Sequence, residues 1–171
     1  IVIFTSDHGY HLGEHDFWAK VSLRDESSQV PLIISVPGKK PAVCHSLTEL
    51  LDLYPTIASL CGLKVAQRLQ GKNISRMLDN PTHEVRQAAF SVAPSRKGFL
   101  LREDKWAYIQ YRENAAAGIE LFDMEKDPKQ YTNLAAEPKH RKLVKEFQQK
   151  LAAKLQAVRN NDLPPRPVRS R

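Results

Sequence analysis

Residues 1–9 read Ile-Val-Ile-Phe-Thr-Ser-Asp-His-Gly. The first four form an unbroken β-branched and aromatic run, the pattern of a strand buried on both faces. Polar groups follow at once, so Thr5–Gly9 falls at the strand's C-terminal end, where open α/β sheets place their ligands. A strand that begins at the first residue, with no initiator Met or signal segment before it, reads as a piece cut from a longer chain.

Outward from this stretch, residues 10–29 show no clean period and read as a long loop. A connection of that length without structure of its own is uncommon in a compact domain and often functional. Pro31–Gly38 is a second apolar strand fenced by prolines. Ser46-Leu47-Thr48-Glu49 has the form of a capping box. Leu50, Leu51, Tyr54, Ile57, Ala58 and Cys61 then recur at helical spacing until Gly62, a natural C-cap. Pro55 is tolerated only in a first turn, which places the helix start near Asp52.

Beyond Gln70-Gly71-Lys72 the pattern changes. Ala88–Val92, Gly98–Arg102, Trp106–Tyr111 and Ile119–Phe122 are short runs separated by turn residues, the signature of an antiparallel sheet. Trp106 and Tyr108 alternate on one of them and read as core. Pro138 opens a last helix in which Leu143, Phe147, Leu151 and Leu155 repeat every four residues as one apolar stripe. The expected fold class is therefore the end of an α/β sheet domain followed by a small α+β subdomain with an antiparallel sheet and a C-terminal helix. The expected units are residues 1–85, 86–160 and a disordered basic Pro/Arg tail, 161–171.

Composition narrows the function classes. The chain has 171 residues, 42% hydrophobic and 26% charged, the range of globular domains. It holds no run of 18 or more apolar residues, so no membrane-spanning helix is expected. Cys44 and Cys61 are too few for a disulfide scaffold or a Cys-rich zinc site. The net charge of +7 is uneven: residues 139–171 carry +8 and residues 1–138 carry −1. The basic end has no aromatic interleaving in Asp162–Arg171, so it reads as a solvated helix face and tail and not as a nucleic-acid arm. Asn73-Ile74-Ser75 is a glycosylation sequon of low specificity.

Asp7-His8-Gly9 is the sharpest chemical feature. An adjacent carboxylate and imidazole at a strand end can face one metal if the backbone turns, and Gly9 permits the turn. Lys20, twelve residues on, can bring a fixed positive charge to an anion held there. Three such residues also describe an ordinary capped turn, so both readings stand at this level.

A longer pattern extends this feature. Thr-Ser-Asp-His-Gly-Tyr-His-Leu-Gly-Glu-His-Asp-Phe-Trp-Ala-Lys (residues 5–20) resembles the metal-and-sulfate segment of type I sulfatases, most closely their iduronate-2-sulfatase-like members. The similarity continues, in the family's order, through Val30-Pro31-Leu32-Ile33-Ile34, Asp52-Leu53-Tyr54-Pro55-Thr56 and Leu69-Gln70-Gly71-Lys72. It ends in Glu120-Leu121-Phe122-Asp123, Asp127-Pro128 and Asn133-Leu134-Ala135. The resemblance implies an alkaline-phosphatase-like α/β domain, with Asp7 and His8 as the later pair of ligands to one divalent cation, usually Ca2+. It implies that Lys20 contacts the sulfate and that Tyr10, His11 and His15 line the substrate pocket; packing and loop hydrogen bonds are the competing reading for those three. Calcium prefers oxygen donors, so His8 is the less natural ligand of the pair. A sulfated small molecule or sulfated glycan is the implied substrate, and an exported, periplasmic or lysosomal location the implied setting.

The chain departs from the family in one respect. Type I sulfatases use a formylglycine made from Cys or Ser in a Cys-x-Pro-x-Arg motif, and neither cysteine fits: Cys44 precedes His-Ser-Leu-Thr and Cys61 precedes Gly-Leu-Lys-Val. Val92-Ala93-Pro94-Ser95-Arg96 is the only echo and reads as a strand end and turn. The formylglycine is expected upstream of Ile1, on the remainder of the same polypeptide. Two other readings compete: a phosphatase or phosphodiesterase of the same superfamily with zinc, which suits imidazole, and a non-catalytic substrate-docking module.

Overall fold

In the computed structural model, which describes residues 1–66, 68–94 and 97–159, Val2–Thr5 forms strand β1. It pairs antiparallel with β2, Leu32–Ser35, from Val2 opposite Ser35 to Thr5 opposite Leu32. Burial on both faces is not what these strands show. Val2, Phe4 and Ile33 are 68%, 61% and 60% exposed. A β-branched run suffices to make a strand, but covering it needs a layer on each face, and among the described residues this two-stranded ribbon has no further strand beside it.

Nor is the connection between them featureless. A 3-10 turn spans Glu14–Asp16 and a one-turn helix, α1, spans Asp25–Ser28. Both rest on local bonds, Phe17 N to Glu14 O at 3.1 Å and Gln29 N to Asp25 O at 2.8 Å among them. Elements of three or four residues are too short for periodicity to reveal.

Helix α2 covers Leu53–Leu60 after a 3-10 turn at Leu50–Asp52. Its start agrees with the position of Pro55, but the capping box lies one turn later than the sequence suggested: Glu49 and Asp52 cap each other's segment, with Glu49 N donating to Asp52 Oδ2 at 2.8 Å. The helix ends at Gly62, φ 69°, where Leu63 N reaches Ala58 O at 2.8 Å and Gly62 N reaches Ser59 O at 3.1 Å. This paired closure needs the left-handed conformation that glycine adopts freely.

The second half is a meander. Strands β3 (Ala89–Val92), β4 (Gly98–Arg102), β5 (Trp106–Tyr111) and β6 (Ile119–Asp123) lie side by side in chain order, all antiparallel. Helix α3, Arg141–Arg159, covers one face. Phe99, Leu101, Tyr108 and Leu121 point to that face and meet Phe147, Leu151 and Leu155, and the Tyr108 and Phe147 rings stack at 5.2 Å. Leu100, Ala107, Ile109 and Phe122 point the other way and are covered by Leu23 from the β1–β2 connection. The alternation follows the period of two along each strand. The loop after Asp-His-Gly is thereby a packing layer of the small sheet.

The basic tail 161–171, and Ser95-Arg96 of the turn after Val92, lie outside the described residues. No described helix is long and apolar enough to cross a membrane.

Candidate active site

β1 carries Asp7 and His8 beyond its C-terminal end. The Asp7 side chain is 85% exposed and that of His8 33%. His8 Nδ1 lies 2.7 Å from Gly9 O; a carbonyl only accepts, so Nδ1 carries the proton and Nε2 keeps its lone pair. That lone pair accepts from the Lys20 ammonium at 2.9 Å, and Nε2 is 3.6 Å from Asp7 Oδ2.

Lys20 reaches His8 because the intervening loop folds back on itself. His11 N donates to Ala19 O at 3.0 Å and Gly13 N to Phe17 O at 3.2 Å. The tip is closed by left-handed residues, Gly13 at φ 121°, His15 at 59° and Asp16 at 55°. The His11–Ala19 bond forms a neck, and exposed Tyr10 and Lys20 flank it. Gly9 serves this geometry differently from the expected turn. A Cβ there would lie 2.0 Å from Glu26 O, and Gly9 N donates to Ser27 O at 2.9 Å. Close approach to the backbone of α1, and not a positive φ, is what requires glycine.

His11 and His15 lie beneath the loop. His11 is 1% exposed, its Nδ1 is 3.3 Å from Glu14 O, and its ring stands edge-on to His15 and Phe17. His15 Nδ1 accepts from Arg24 Nη1, which leaves the proton on Nε2, 3.5 Å from Glu26 Oε1. The structure therefore gathers Asp7, His8 and Lys20, with Tyr10 beside them, and sets His11 and His15 apart as buried contacts of the loop.

Sequence reasoning missed the side chains that hold this loop. Arg24 Nη2 donates to Glu120 Oε1 at 2.8 Å, and Tyr111 Oη donates to Glu120 Oε2 at 3.2 Å. Asp25 pairs with Arg102 Nε at 3.3 Å, while its backbone N–H donates to Gln130 Oε1 at 2.7 Å. Burial outweighs Arg102 and pushes the Asp25 carboxyl above its ordinary range. Burial, then the Glu120 carboxylate, pushes the Tyr111 phenol up to about 12. The one signal for any of these was the presence of Glu120 in the family-like segment Glu120–Asp123.

One carboxylate and one imidazole lone pair side by side fit two positions of a divalent-cation site. Among the described residues no three His, Cys, Asp or Glu side chains gather closely enough to hold an ion. Asp7 and His8 thus fit a cation only as part of a larger ligand set.

Residues 13–157 match the family described as N-sulphoglucosamine sulphohydrolase, C-terminal. The chain belongs to the sulfatase family. The matched span includes His15, Lys20, Arg24 and Glu120 and begins after Asp7 and His8. Among sulfatases, arylsulfatase K of Mus musculus is 32% identical over 149 residues, covering 80% of this chain and 27% of that protein. Choline-sulfatase of Rhizobium meliloti (strain 1021) is 35% identical over 147 residues, 81% of this chain and 28% of that protein. The chain spans a little over a quarter of these relatives' length. Among solved structures, a 2-O GAG sulfatase superposes with TM-score 0.79 at 29% identity, over 91% of this chain and 36% of the other. A protein solved with its substrate D-glucosamine-2-N,6-O-disulfate gives 0.76 at 26% identity, over 94% and 35%. A phosphonate monoester hydrolase from Silicibacter pomeroyi gives 0.79 at 25% identity, over 91% and 34%.

Proposed function

We propose that this chain is the C-terminal portion of a sulfatase that hydrolyses sulfate esters of a small molecule or a glycan. In this reading Asp7 and His8 are two ligands of a divalent cation, calcium in the iduronate-2-sulfatase-like members it resembles, and Lys20 holds a sulfuryl oxygen. The formylglycine nucleophile and the other ligands would lie on the rest of the polypeptide. The observation that carries the reading is the Lys20 Nζ to His8 Nε2 contact of 2.9 Å beside exposed Asp7. It gathers a cation, a carboxylate and an imidazole lone pair at the open end of β1.

When bound, the metal would supply positive charge to the sulfuryl oxygens. This chain's own part is to orient and neutralise. The Nδ1–H bond to Gly9 O fixes the His8 tautomer and points Nε2 outward. Lys20 contributes a flexible point charge that can leave Nε2 for a sulfate oxygen. Negative charge redistributes as the S–O bond breaks, so a cation placed there stabilises the transition state more than the ground state.

The test is steady-state kinetics on the full-length protein with an aryl sulfate, choline sulfate and an O-sulfated glucosamine, alongside aryl phosphate and phosphonate monoesters. Turnover of a sulfate ester is expected, with Lys20→Ala lowering kcat/KM by on the order of 10²-fold or more. Asp7→Ala is expected to lose bound divalent cation and activity together. Near-wild-type kinetics for Lys20→Ala would remove the sulfate contact. Turnover of the phosphorus esters alone would favour the phosphatase reading, which the neighbouring phosphonate hydrolase fold and the His8 imidazole support.

A further inference from the structure

Beneath the loop, a line of contacts runs from the small sheet toward Lys20. Glu120, on β6, takes the Tyr111 hydroxyl on one oxygen at 3.2 Å and Arg24 on the other at 2.8 Å. The Arg24 guanidinium spans two partners, Nη2 on Glu120 and Nη1 on His15 Nδ1, and sits 5.4 Å over the Phe122 ring. Its planar fork serves both at once, which a single ammonium nitrogen does not reproduce. His15 is in turn one of the left-handed residues at the loop tip. A backbone in that conformation carries strain that its surroundings must hold; Arg24 contacts the His15 ring, as do Glu26 at 3.5 Å and the Tyr131 ring at 4.8 Å. From the tip, the Gly13–Phe17 and His11–Ala19 bonds connect the loop back to Ala19, the residue before Lys20.

Among the described residues, the buried side-chain polar atoms without a hydrogen-bond partner are His11 Nε2, His15 Nε2, Glu26 Oε2, Ser27 Oγ and Gln130 Nε2. All belong to the loop, to α1 or to the segment packed against them. The layer beneath the loop is thus polar, and in it His15 Nε2 faces Glu26 Oε1 at 3.5 Å.

We propose that Glu120 is a positioning residue for Lys20, acting through Arg24 and His15, so that the small sheet sets where the ammonium stands. This rests on the sulfate-contact reading of Lys20. Its consequence is a specific non-additivity. Weakening the Glu120–Arg24 pair displaces the loop tip and moves Lys20 off its oxygen, but once Lys20 is gone there is nothing left to misplace.

The experiment is a double-mutant cycle in the full-length protein, with Glu120→Gln and Lys20→Ala, singly and combined, on the sulfate ester it turns over fastest. Glu120→Gln should lower kcat by on the order of 10-fold with a smaller change in KM, as a slight misplacement of a transition-state contact does. In the Lys20→Ala background the same substitution should change kcat by less than about twofold. A crystal structure of the Glu120→Gln variant supplies a readout that needs no activity: the Lys20 Nζ to His8 Nε2 contact should open. Equal losses in the two backgrounds would overturn the proposal, as would an unchanged contact in the variant structure. Wild-type kinetics for Lys20→Ala alone would instead refute the sulfate-contact reading; the variant structure then still decides whether Glu120 sets the position of Lys20.

Discussion

Tyr111 illustrates how a single buried neighbour alters ordinary chemistry. Its phenol is pushed from 10.0 up to about 12 by burial first and by Glu120 second. The neutral form is the one that folding favours. This contribution to stability is therefore fully present below about pH 10, the unfolded value, and is lost as pH rises through about 12. Alkaline titration of tyrosinate absorbance, compared with Tyr111→Phe, should show the missing phenol ionising near pH 12; ionisation near 10 would mean that the phenol is not held in this buried setting. Residues of this kind also mark the limit of reading a sequence. That Asp7, His8 and Lys20 could meet was legible, because adjacency and one loop length bring them together. Arg24 and Glu120 are 96 residues apart, and an isolated Arg and Glu carry no signal that they will meet. Gly9 was legible as necessary, but its reason was not: the crowding comes from Glu26 and Gln29, which only the folded loop brings near.

Among the elements, the C-terminal helix was the most legible, because four apolar residues at one spacing define a single buried stripe. Phe147 lies at its centre, fully buried and stacked on Tyr108. Phe147→Ala should cost about 3–5 kcal/mol, measured by urea denaturation; a loss under about 1 kcal/mol would mean the helix is not seated on the sheet. The four meander strands were found for a similar reason, since their turn residues separate the runs cleanly. β4 was legible despite reading Gly-Phe-Leu-Leu-Arg without alternation, because its two faces meet different layers, α3 and the Leu23 loop. β1 was found as a strand, and the exposure of Val2, Phe4 and Ile33 shows that the described residues do not themselves supply the layers its apolar run calls for. The capping box was displaced because the Asp52 carboxylate answers to groups far along the chain as well as to its own helix.

Those distant groups hold the molecule together across its middle. Asp52, fully buried, receives both Arg86 Nη1 and Nη2, and its Oδ1 accepts from Lys72 N at 2.7 Å. Arg86 Nε lies 3.5 Å from Glu49 Oε1, which also accepts from Phe90 N at 2.9 Å at the start of the meander. Arg86, placed at the expected boundary between the two units, is thus the counter-charge for two carboxylates of the α2 region, and removing one partner of such a buried pair typically costs about 3–5 kcal/mol. The meander has a different consequence, one of time. Each of its strands pairs with the next along the chain, so each pairing closes only a short loop, whereas β1 reaches β2 across the whole of residues 6–31. Chain-closure entropy grows with that separation, and local topologies assemble faster. The meander should form first and offer its Leu100, Ile109 and Phe122 face as a template, on which the loop bearing Lys20 condenses afterwards. Pulse-labelled hydrogen exchange during refolding of the full-length protein should find amides of β4 and β5 protected before those of His11 and Gly13; the reverse order would refute it. The loop bearing Lys20 would then acquire its shape after the sheet it rests on.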